Sequence, residues 1–224
     1  MFPARAVLLD LDGTLLDTVA DLHVAANGML HDLDRPPVAI EDIRAYVGRG
    51  IPNLVKRLLA GNLAAADDPA PPPADAVASF RKHYAAVNGR ASAPYPGVMD
   101  GLAALKTKGL PLGVITNKAA AFTEPLLERT GLAPFMSVVV SGDTLPRAKP
   151  DPMPVVWACG RLGVSPADTT MIGDSVNDFT AGRGAGCRVL LVPYGYNEGR
   201  DVRTLACDAI VASIEDAARL ITLA

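Results

Sequence analysis

The sequence predicts an α/β protein, with a doubly wound parallel sheet as its core and an all-helical domain inserted after the first strand. Three observations favour this fold class. Short apolar runs recur along the 224-residue chain and end in turn residues. Helix-like segments separate most of the later runs, and such an alternation is typical of a parallel sheet covered on both faces. The stretch 17–93, in contrast, shows helical patterns and no convincing strand.

Six of the apolar runs are expected to form the strands of the sheet. Most are rich in β-branched residues and do not alternate with polar ones, which is the pattern of strands buried on both faces. The six runs are Ala6–Leu11, Leu112–Thr116, Val138–Ser141, Thr170–Ile172, Val189–Val192 and Ala209–Val211.

Helices are predicted between the later strands and after the last one. The clearest is Val98–Lys108, whose apolar residues recur at helical spacing and which stops at Gly109. The other three are Pro154–Leu162, Asp178–Gly184 and Ile214–Ile221. With the six strands they give a Rossmann-like core, which we assign to residues 1–16 and 94–224.

The inserted helical domain is assigned to residues 17–93. Its helices are predicted at Val19–Leu33, Ile40–Val47, Ile51–Leu63 and Ala74–Val87. The proline-rich stretch 67–73 must be a loop or a helix start, because proline disrupts a helix interior. The segment 94–97, Pro-Tyr-Pro-Gly, marks the return to the α/β core.

Composition argues against several classes of function. Half of the residues are apolar, which is ample for a core, and the formal net charge is only -3. Without a long basic run, binding to nucleic acid has little support. The apolar stretches are too short to span a membrane, and three scattered cysteines do not make a disulfide framework. We therefore expect a cytoplasmic monomer or homodimer that acts on a small molecule.

The first predicted strand runs directly into two carboxylates, Asp10 and Asp12, which are followed by Gly13. Two like charges so close together repel each other and are costly to bury unless a cation joins them. A bound metal ion or acid–base chemistry is the simplest reason to keep both. Ligands of a parallel sheet bind at the carboxyl ends of its strands, so residues after the other strands should share this site.

Polar residues follow the next strands as this arrangement requires. Thr116 and Asn117 end the second strand, and Lys149 lies just past the third. Asp174 follows the fourth strand, and Asp178 comes four residues later.

Four motifs in this set resemble those of the haloacid dehalogenase superfamily of phosphotransferases. They are DLDGT at 10–14, ITN at 115–117, AKPDP at 148–152 and GDSVND at 173–178. Each stands at a predicted strand end, and together they extend the resemblance over essentially the whole chain. The resemblance implies a phosphoric monoester hydrolase that uses Mg²⁺, with the helical insert as its mobile cap.

The resemblance also implies a role for each acidic residue. Asp10 is expected to be the nucleophile, forming an aspartyl-phosphate, and also a metal ligand together with Asp174. The backbone carbonyl of Asp12 is expected to bind the metal, while its side chain serves as general acid and then as base. Asp178 is expected to orient Lys149 or a metal-bound water without binding the metal itself.

Other residues are expected to hold the transferring phosphate. The Thr116 hydroxyl, the Asn117 amide and the Lys149 ammonium can stabilise charge on its oxygens, and we count Thr116 and Lys149 as catalytic. Gly13 allows the chain to turn tightly beside the phosphate.

A loop between two predicted helices of the insert bears on the substrate. Gly48, Arg49 and Gly50 lie in a VGRG sequence similar to the cap loop of bacterial phosphoglycolate phosphatases, and the YGYN sequence at 194–197 is similar to a segment of the same enzymes. The resemblance implies hydrolysis of 2-phosphoglycolate to glycolate and phosphate. Its carboxylate could meet Arg49, with the two glycines beside it as further binding residues.

Three alternatives stay open at this point. One is a phosphatase of sugar phosphates, and another is a phosphomutase similar to the β-phosphoglucomutases, in which a sugar hydroxyl takes the phosphoryl group instead of water. The third is a catalytically silent relative that only binds its ligand, although the intact set Asp10, Asp12, Lys149 and Asp174 argues against it.

Overall fold

The computed structural model describes all 224 residues and contains ten strands and nine α-helices. The strands are β1 (Phe2–Ala4), β2 (Ala6–Leu9), β3 (Leu16–Asp17), β4 (Ala93–Pro94), β5 (Leu112–Ile115), β6 (Met136–Val140), β7 (Thr169–Gly173), β8 (Arg188–Leu191), β9 (Ala209–Ile210) and β10 (Ile221–Leu223). The helices are α1 (Val19–Asp32), α2 (Ile40–Tyr46), α3 (Gly50–Ala60), α4 (Ala74–Val87), α5 (Val98–Thr107), α6 (Ala120–Arg129), α7 (Met153–Leu162), α8 (Val176–Ala185) and α9 (Ile214–Leu220).

Six strands form one parallel sheet in the order β6-β5-β2-β7-β8-β9. All six coincide with the apolar runs that predict them, so the expected α/β fold class is confirmed. β2, β5 and β7 are buried along their whole length, as the lack of polar alternation requires. Because β2 lies between β5 and β7, the acids that follow it emerge at the centre of the sheet.

The two faces of the sheet have separate apolar cores. Val7 and Leu9 of β2 point to a core shared with α5 and α9. Leu8, between them, points to a second core shared with α7 and α8. Adjacent residues of a strand face opposite sides, so this division confirms a sheet that helices cover on both faces.

Helices α1 to α4, which we call the cap, pack around a third apolar cluster. Its members include Met29 of α1, Leu54 of α3 and Phe80 of α4. Phe122 and Tyr196 from the core also join this cluster, so the cap rests on the core through apolar contacts. No helix of the structure is both long enough and apolar enough to cross a membrane.

Three features were not anticipated from the sequence. Helix α6 forms despite an internal proline, Pro125, which removes a backbone donor. β1 and β10 pair as a small parallel sheet, and β3 and β4 pair antiparallel. The β3–β4 pair joins Leu16 to Pro94 and Asp17 to Ala93, so the two chain crossings between core and cap run side by side.

Candidate active site

Asp10 follows β2 directly, and the chain then turns sharply through Gly13. The backbone N–H of Gly13 donates to the carbonyl of Leu16 at 2.9 Å, which closes the turn. Gly13 has φ of +92°, and a side chain there would overlap the carboxylate of Asp174 and crowd the backbone nitrogen of Tyr196. Glycine is therefore required for the turn and for the close approach of Asp174.

Lys149 lies at the centre of the predicted acidic group. Its ammonium donates to Asp10 Oδ1 at 2.5 Å, to Asp178 Oδ1 at 2.6 Å and to the Ile115 carbonyl at 2.5 Å. Burial opposes the charge of Lys149, but the two carboxylates outweigh it and raise the pKa of the ammonium. All three N–H donors of Lys149 are engaged, which fixes its position between Asp10 and Asp178.

Asp178 lies in the first turn of α8 and holds the turn that presents Asp174. Its Oδ2 accepts from the backbone N–H groups of Asp174 and Ser175, at 3.2 and 3.1 Å, and from Ser175 Oγ at 2.7 Å. With Oδ1 bound to Lys149, both oxygens of Asp178 are occupied. The arrangement fits the predicted positioning role of Asp178 better than direct metal binding.

Asp174 faces Asp10 across the site. Its Oδ1 accepts from Thr14 Oγ1 at 3.0 Å, and its Oδ2 accepts from the backbone N–H of Tyr196 at 2.5 Å. Burial and the neighbouring charges of Asp10 and Asp178 raise the pKa of Asp174 well above its ordinary value. Burial likewise raises the pKa of Asp10 to about 7, although Lys149 opposes the shift. Without a further cation, these two carboxylates are poorly stabilised as anions.

The charges of the site suit a divalent cation. Single oxygens of Asp10, Asp174 and Asp178 all lie within 4.8 Å of one another. The pocket around them is lined by four carboxylates but only two ammonium groups, those of Lys118 and Lys149. Mg²⁺ prefers oxygen ligands and would balance the remaining negative charge. The donor set therefore fits the predicted metal.

Asp12 lies beside this group and is held by one of its oxygens only. Oδ1 accepts from Thr18 Oγ1 at 2.7 Å and from Lys118 Nζ at 2.8 Å. The Asp12 side chain lines the same pocket as Asp10 and keeps Oδ2 for another partner. Neither Thr18 nor Lys118 was among the predicted site residues, although Lys118 directly follows Asn117 in the sequence.

The pocket lies between the core and the cap. From the cap it is lined by Leu22, Val47, Gly48, Gly50, Ile51, Leu54 and Tyr84, and from the core by Thr116 and Asn117 among the residues named above. Asn117 Nδ2 donates to the carbonyls of Gly48 and Lys149, at 3.0 and 2.9 Å, and so joins the cap loop to the core. The cavity of about 50 Å³ has room for about four water molecules.

Arg49 does not line this pocket, although Gly48 and Gly50 on either side of it do. Its guanidinium forms salt bridges to Glu198, with Nε 3.1 Å from Oε1, and to Asp67 at 3.1 Å. Arg49 lines a neighbouring cavity together with Asn117 and Lys149, and its contact with a substrate carboxylate stays a prediction. The charge of Arg49 is already matched by carboxylates of the protein.

The YGYN segment ties the core to the first chain crossing into the cap. Tyr196 Oη accepts from the backbone N–H groups of Thr18 and Val19, at 2.7 and 3.0 Å, and donates to Asp17 Oδ1 at 2.5 Å. Tyr194 Oη donates to the carbonyl of Thr14 at 2.9 Å. These tyrosines hold the backbone next to the turn that follows Asp10, a role that the sequence alone did not indicate.

Comparisons with known proteins agree with the motifs. A model of the haloacid dehalogenase-like hydrolases matches residues 4–186. A phosphoglycolate phosphatase of Thiobacillus denitrificans is 50% identical over 222 residues, which are 99% of this chain and 97% of that protein. A phosphoglycolate phosphatase of Nitrosospira multiformis is 48% identical over 223 residues, covering 98% of this chain and 96% of that protein.

A solved structure is similar over its whole length. The crystal structure of a predicted phosphoglycolate phosphatase from Haemophilus somnus has a TM-score of 0.87 and 30% identity, covering 98% of this chain and 99% of that one. With the sequence relatives, it confirms the predicted enzyme class, a phosphoric monoester hydrolase. The chain belongs to the haloacid dehalogenase-like hydrolase family.

Proposed function

We propose that this protein hydrolyses a small phosphomonoester, with 2-phosphoglycolate as its preferred substrate, in a Mg²⁺-dependent reaction through an aspartyl-phosphate on Asp10. One observation carries the proposal: the Asp10 carboxylate, engaged at Oδ1 by Lys149, lies beside Asp12 in a pocket between the core and the cap. The relatives described as phosphoglycolate phosphatases support the choice of substrate.

The side chains of Asp10 and Asp174 and the backbone carbonyl of Asp12 would hold the metal. Bound there, Mg²⁺ supplies Lewis-acid stabilisation of the phosphoryl oxygens and offsets the repulsion between the substrate and these carboxylates. Asp178 stays outside the ligand set in this proposal, because its Oδ1 is paired with the Lys149 ammonium and its Oδ2 accepts three hydrogen bonds, whereas each oxygen of Asp174 accepts only one.

Asp10 attacks the phosphorus with its Oδ2, because Oδ1 is held by Lys149. The attack replaces one difficult hydrolysis by two easier displacements. Lys149 stays beside the transferring group as a fixed cation, and the Thr116 hydroxyl, which lines the pocket, adds a donor. The charge that builds up on the phosphoryl oxygens is thus met by groups already in position.

Asp12 moves the proton in both steps. Its free Oδ2 gives a proton to the ester oxygen as the P–O bond breaks, and the alcohol leaves. The same carboxylate then takes a proton from the water that attacks the aspartyl-phosphate, which releases phosphate and restores Asp10. Thr18 and Lys118 hold Oδ1 and so keep Oδ2 directed for these transfers.

The position of the pocket between the cap and the core supports a role for the cap in covering the bound ester. A cap that covers the site excludes water other than the one that reacts, which favours hydrolysis of the bound ester over side reactions.

Phosphate release from a panel of phosphomonoesters tests the proposal. The panel holds 2-phosphoglycolate, glycerol phosphates, hexose phosphates and nucleotides, each with Mg²⁺ and with EDTA. We expect a clear preference for 2-phosphoglycolate, lost in EDTA and in Asp10→Asn but kept in Asp100→Asn, an exposed carboxylate on α5. Equal rates with all esters would contradict 2-phosphoglycolate as the preferred substrate. Full activity of Asp10→Asn would contradict the aspartyl-phosphate mechanism.

A further inference from the structure

Lys118 is a buried cation of the pocket that still has hydrogen-bonding capacity. An ammonium carries three N–H donors, and Lys149 uses all three on protein oxygens. Lys118, which is 7% exposed, donates only to Asp12 Oδ1. The other two donors have no acceptor in the protein, and the side chain lines the pocket.

Tyr84 places a second unused donor next to it. The side chain reaches the pocket from α4 of the cap, and its fully buried hydroxyl lies beside the Lys118 ammonium without a well-formed hydrogen bond to it or to any other group. The Lys118 ammonium lies 4.9 Å from the centre of the Tyr84 ring. A buried polar group without a partner is costly, so a hydroxyl and an ammonium that converge in this way favour a ligand with acceptor atoms.

Two arginines of the cap, Arg49 and Arg57, are not available for the same purpose. Arg57 is buried and donates to Glu198 Oε1 at 2.6 Å, and Arg49 binds the same carboxylate. Neither arginine lines the pocket, so Lys118 is the cation of the pocket lining that keeps free donors.

The distance to Asp12 limits how far a group bound by Lys118 can lie from the ester oxygen. A general acid works at hydrogen-bond distance from the leaving oxygen, and Lys118 Nζ is 2.8 Å from Asp12 Oδ1, so the ammonium lies within about 8 Å of an oxygen bound at Asp12 Oδ2. A carboxylate attached to the ester carbon falls within this range.

We propose that Lys118 and Tyr84 form the subsite that recognises a substrate carboxylate one carbon away from the phosphate ester. Lys118 donates two charge-assisted hydrogen bonds to it, and the Tyr84 hydroxyl donates a third. The assignment rests on the phosphatase activity proposed above, and it makes these two residues, rather than Arg49, the ones that determine specificity.

Two esters that differ only at the carboxylate test the subsite. 2-Phosphoglycolate carries the acid, and ethyl phosphate has a methyl group in its place. The quantity to measure is the ratio of kcat/KM for the two esters, because any effect of a variant on Asp12 or on the general chemistry acts on both and cancels in the ratio. Wild type should strongly favour 2-phosphoglycolate.

Lys118→Met should lower this ratio at least about tenfold, which is the loss of one hydrogen bond to a charged group. Tyr84→Phe should lower it by a smaller factor, and the exposed control Lys106→Met should leave it unchanged. A ratio within about twofold of wild type in Lys118→Met, with ethyl phosphate still hydrolysed, overturns the subsite and leaves the phosphatase in place.

Two further results are informative. If wild type hydrolyses neither ester, the proposed function fails, and the subsite fails with it. If Lys118→Met does not fold, Tyr84→Phe decides, because it removes only an oxygen from a ring that keeps its contacts with Phe80 and Phe122. An unchanged ratio in Tyr84→Phe would then overturn the subsite.

Discussion

Replacing Glu198 by glutamine should loosen the cap from the core. Glu198 belongs to the segment after β8, and its carboxylate receives Arg57 of α3 at 2.6 Å and Arg49 at 3.1 Å. The side chains of Glu198 and Arg57 are 6% and 1% exposed, so the pair is removed from water. Arg57 is held further by the carbonyls of Tyr46 and Leu63, at 2.8 and 3.2 Å.

The size of the effect follows from this burial. Glutamine keeps the volume and one acceptor but removes the charge, which leaves the buried guanidinium of Arg57 without a counterion. Breaking a buried ion pair on one side costs about 3–5 kcal/mol, and the retained acceptor favours the lower end. For a chain of this length, a loss of about 3 kcal/mol lowers the melting temperature by roughly 6–12 °C.

Thermal unfolding followed by circular dichroism measures this loss, with Glu215→Gln as the matched control. Glu215 pairs with Arg219 on the exposed surface of α9, with side chains 41% and 65% exposed. An exposed pair contributes about 1 kcal/mol or less, so the control should melt within a few degrees of wild type. A Glu198→Gln variant that melts as the control does would refute the reasoning. The reasoning would also be refuted if the stability losses of Glu198→Gln and Arg57→Met simply added in the double variant, because residues that interact directly should show a coupling energy.

Three further predictions concern the site and its support. Gly195→Ala should weaken Mg²⁺ binding measured by calorimetry, because a methyl group there overlaps the Asp174 carboxylate, whereas Gly160→Ala, in open space, should not. In EDTA the melting temperature should fall as pH rises from about 4 to about 7. Burial raises the pKa of Asp10 to about 7, so the folded state holds that proton more tightly than the unfolded state does. A melting temperature that does not change over this pH range would contradict this. Asp21→Asn should lower the free energy of unfolding, measured in urea, by at least about 2 kcal/mol. The buried carboxylate of Asp21 accepts from three backbone N–H groups and a hydroxyl of the segment 89–92. An unchanged free energy of unfolding would show that Asp21 does not stabilise the chain crossing.

Local patterns were sufficient to predict the sheet and most helices. A strand buried on both faces must be apolar at every position, so β2, β5 and β7 stand out in the sequence as continuous runs. The positions of Asp10 and Asp174 could be predicted in the same way, because a charged residue directly after a buried strand must lie where that strand ends. Helix α6 was not predicted because it contains Pro125, and proline usually interrupts a helix.

Residues that act across the chain could not be predicted in the same way. Glu198 and Arg57 are 141 positions apart, and neither lies in a motif. Lys118 follows a motif directly, but its pairing with Asp12 and its approach to Tyr84 depend on how the cap helix α4 meets the core. The pairing of Arg49 with Glu198 could not be predicted either, because Gly48 and Gly50 beside it line the pocket while the Arg49 side chain does not.

The segment that leads into the cap also holds the side chain that we propose as the general acid. Thr18 immediately precedes α1, and its hydroxyl donates to Asp12 Oδ1 while its backbone N–H donates to Tyr196 of the core. Lys118 donates to the same oxygen of Asp12. In the proposed mechanism, the residue at the start of the first cap helix therefore helps to orient Asp12, so a change in this segment should affect proton transfer as well as the attachment of the cap.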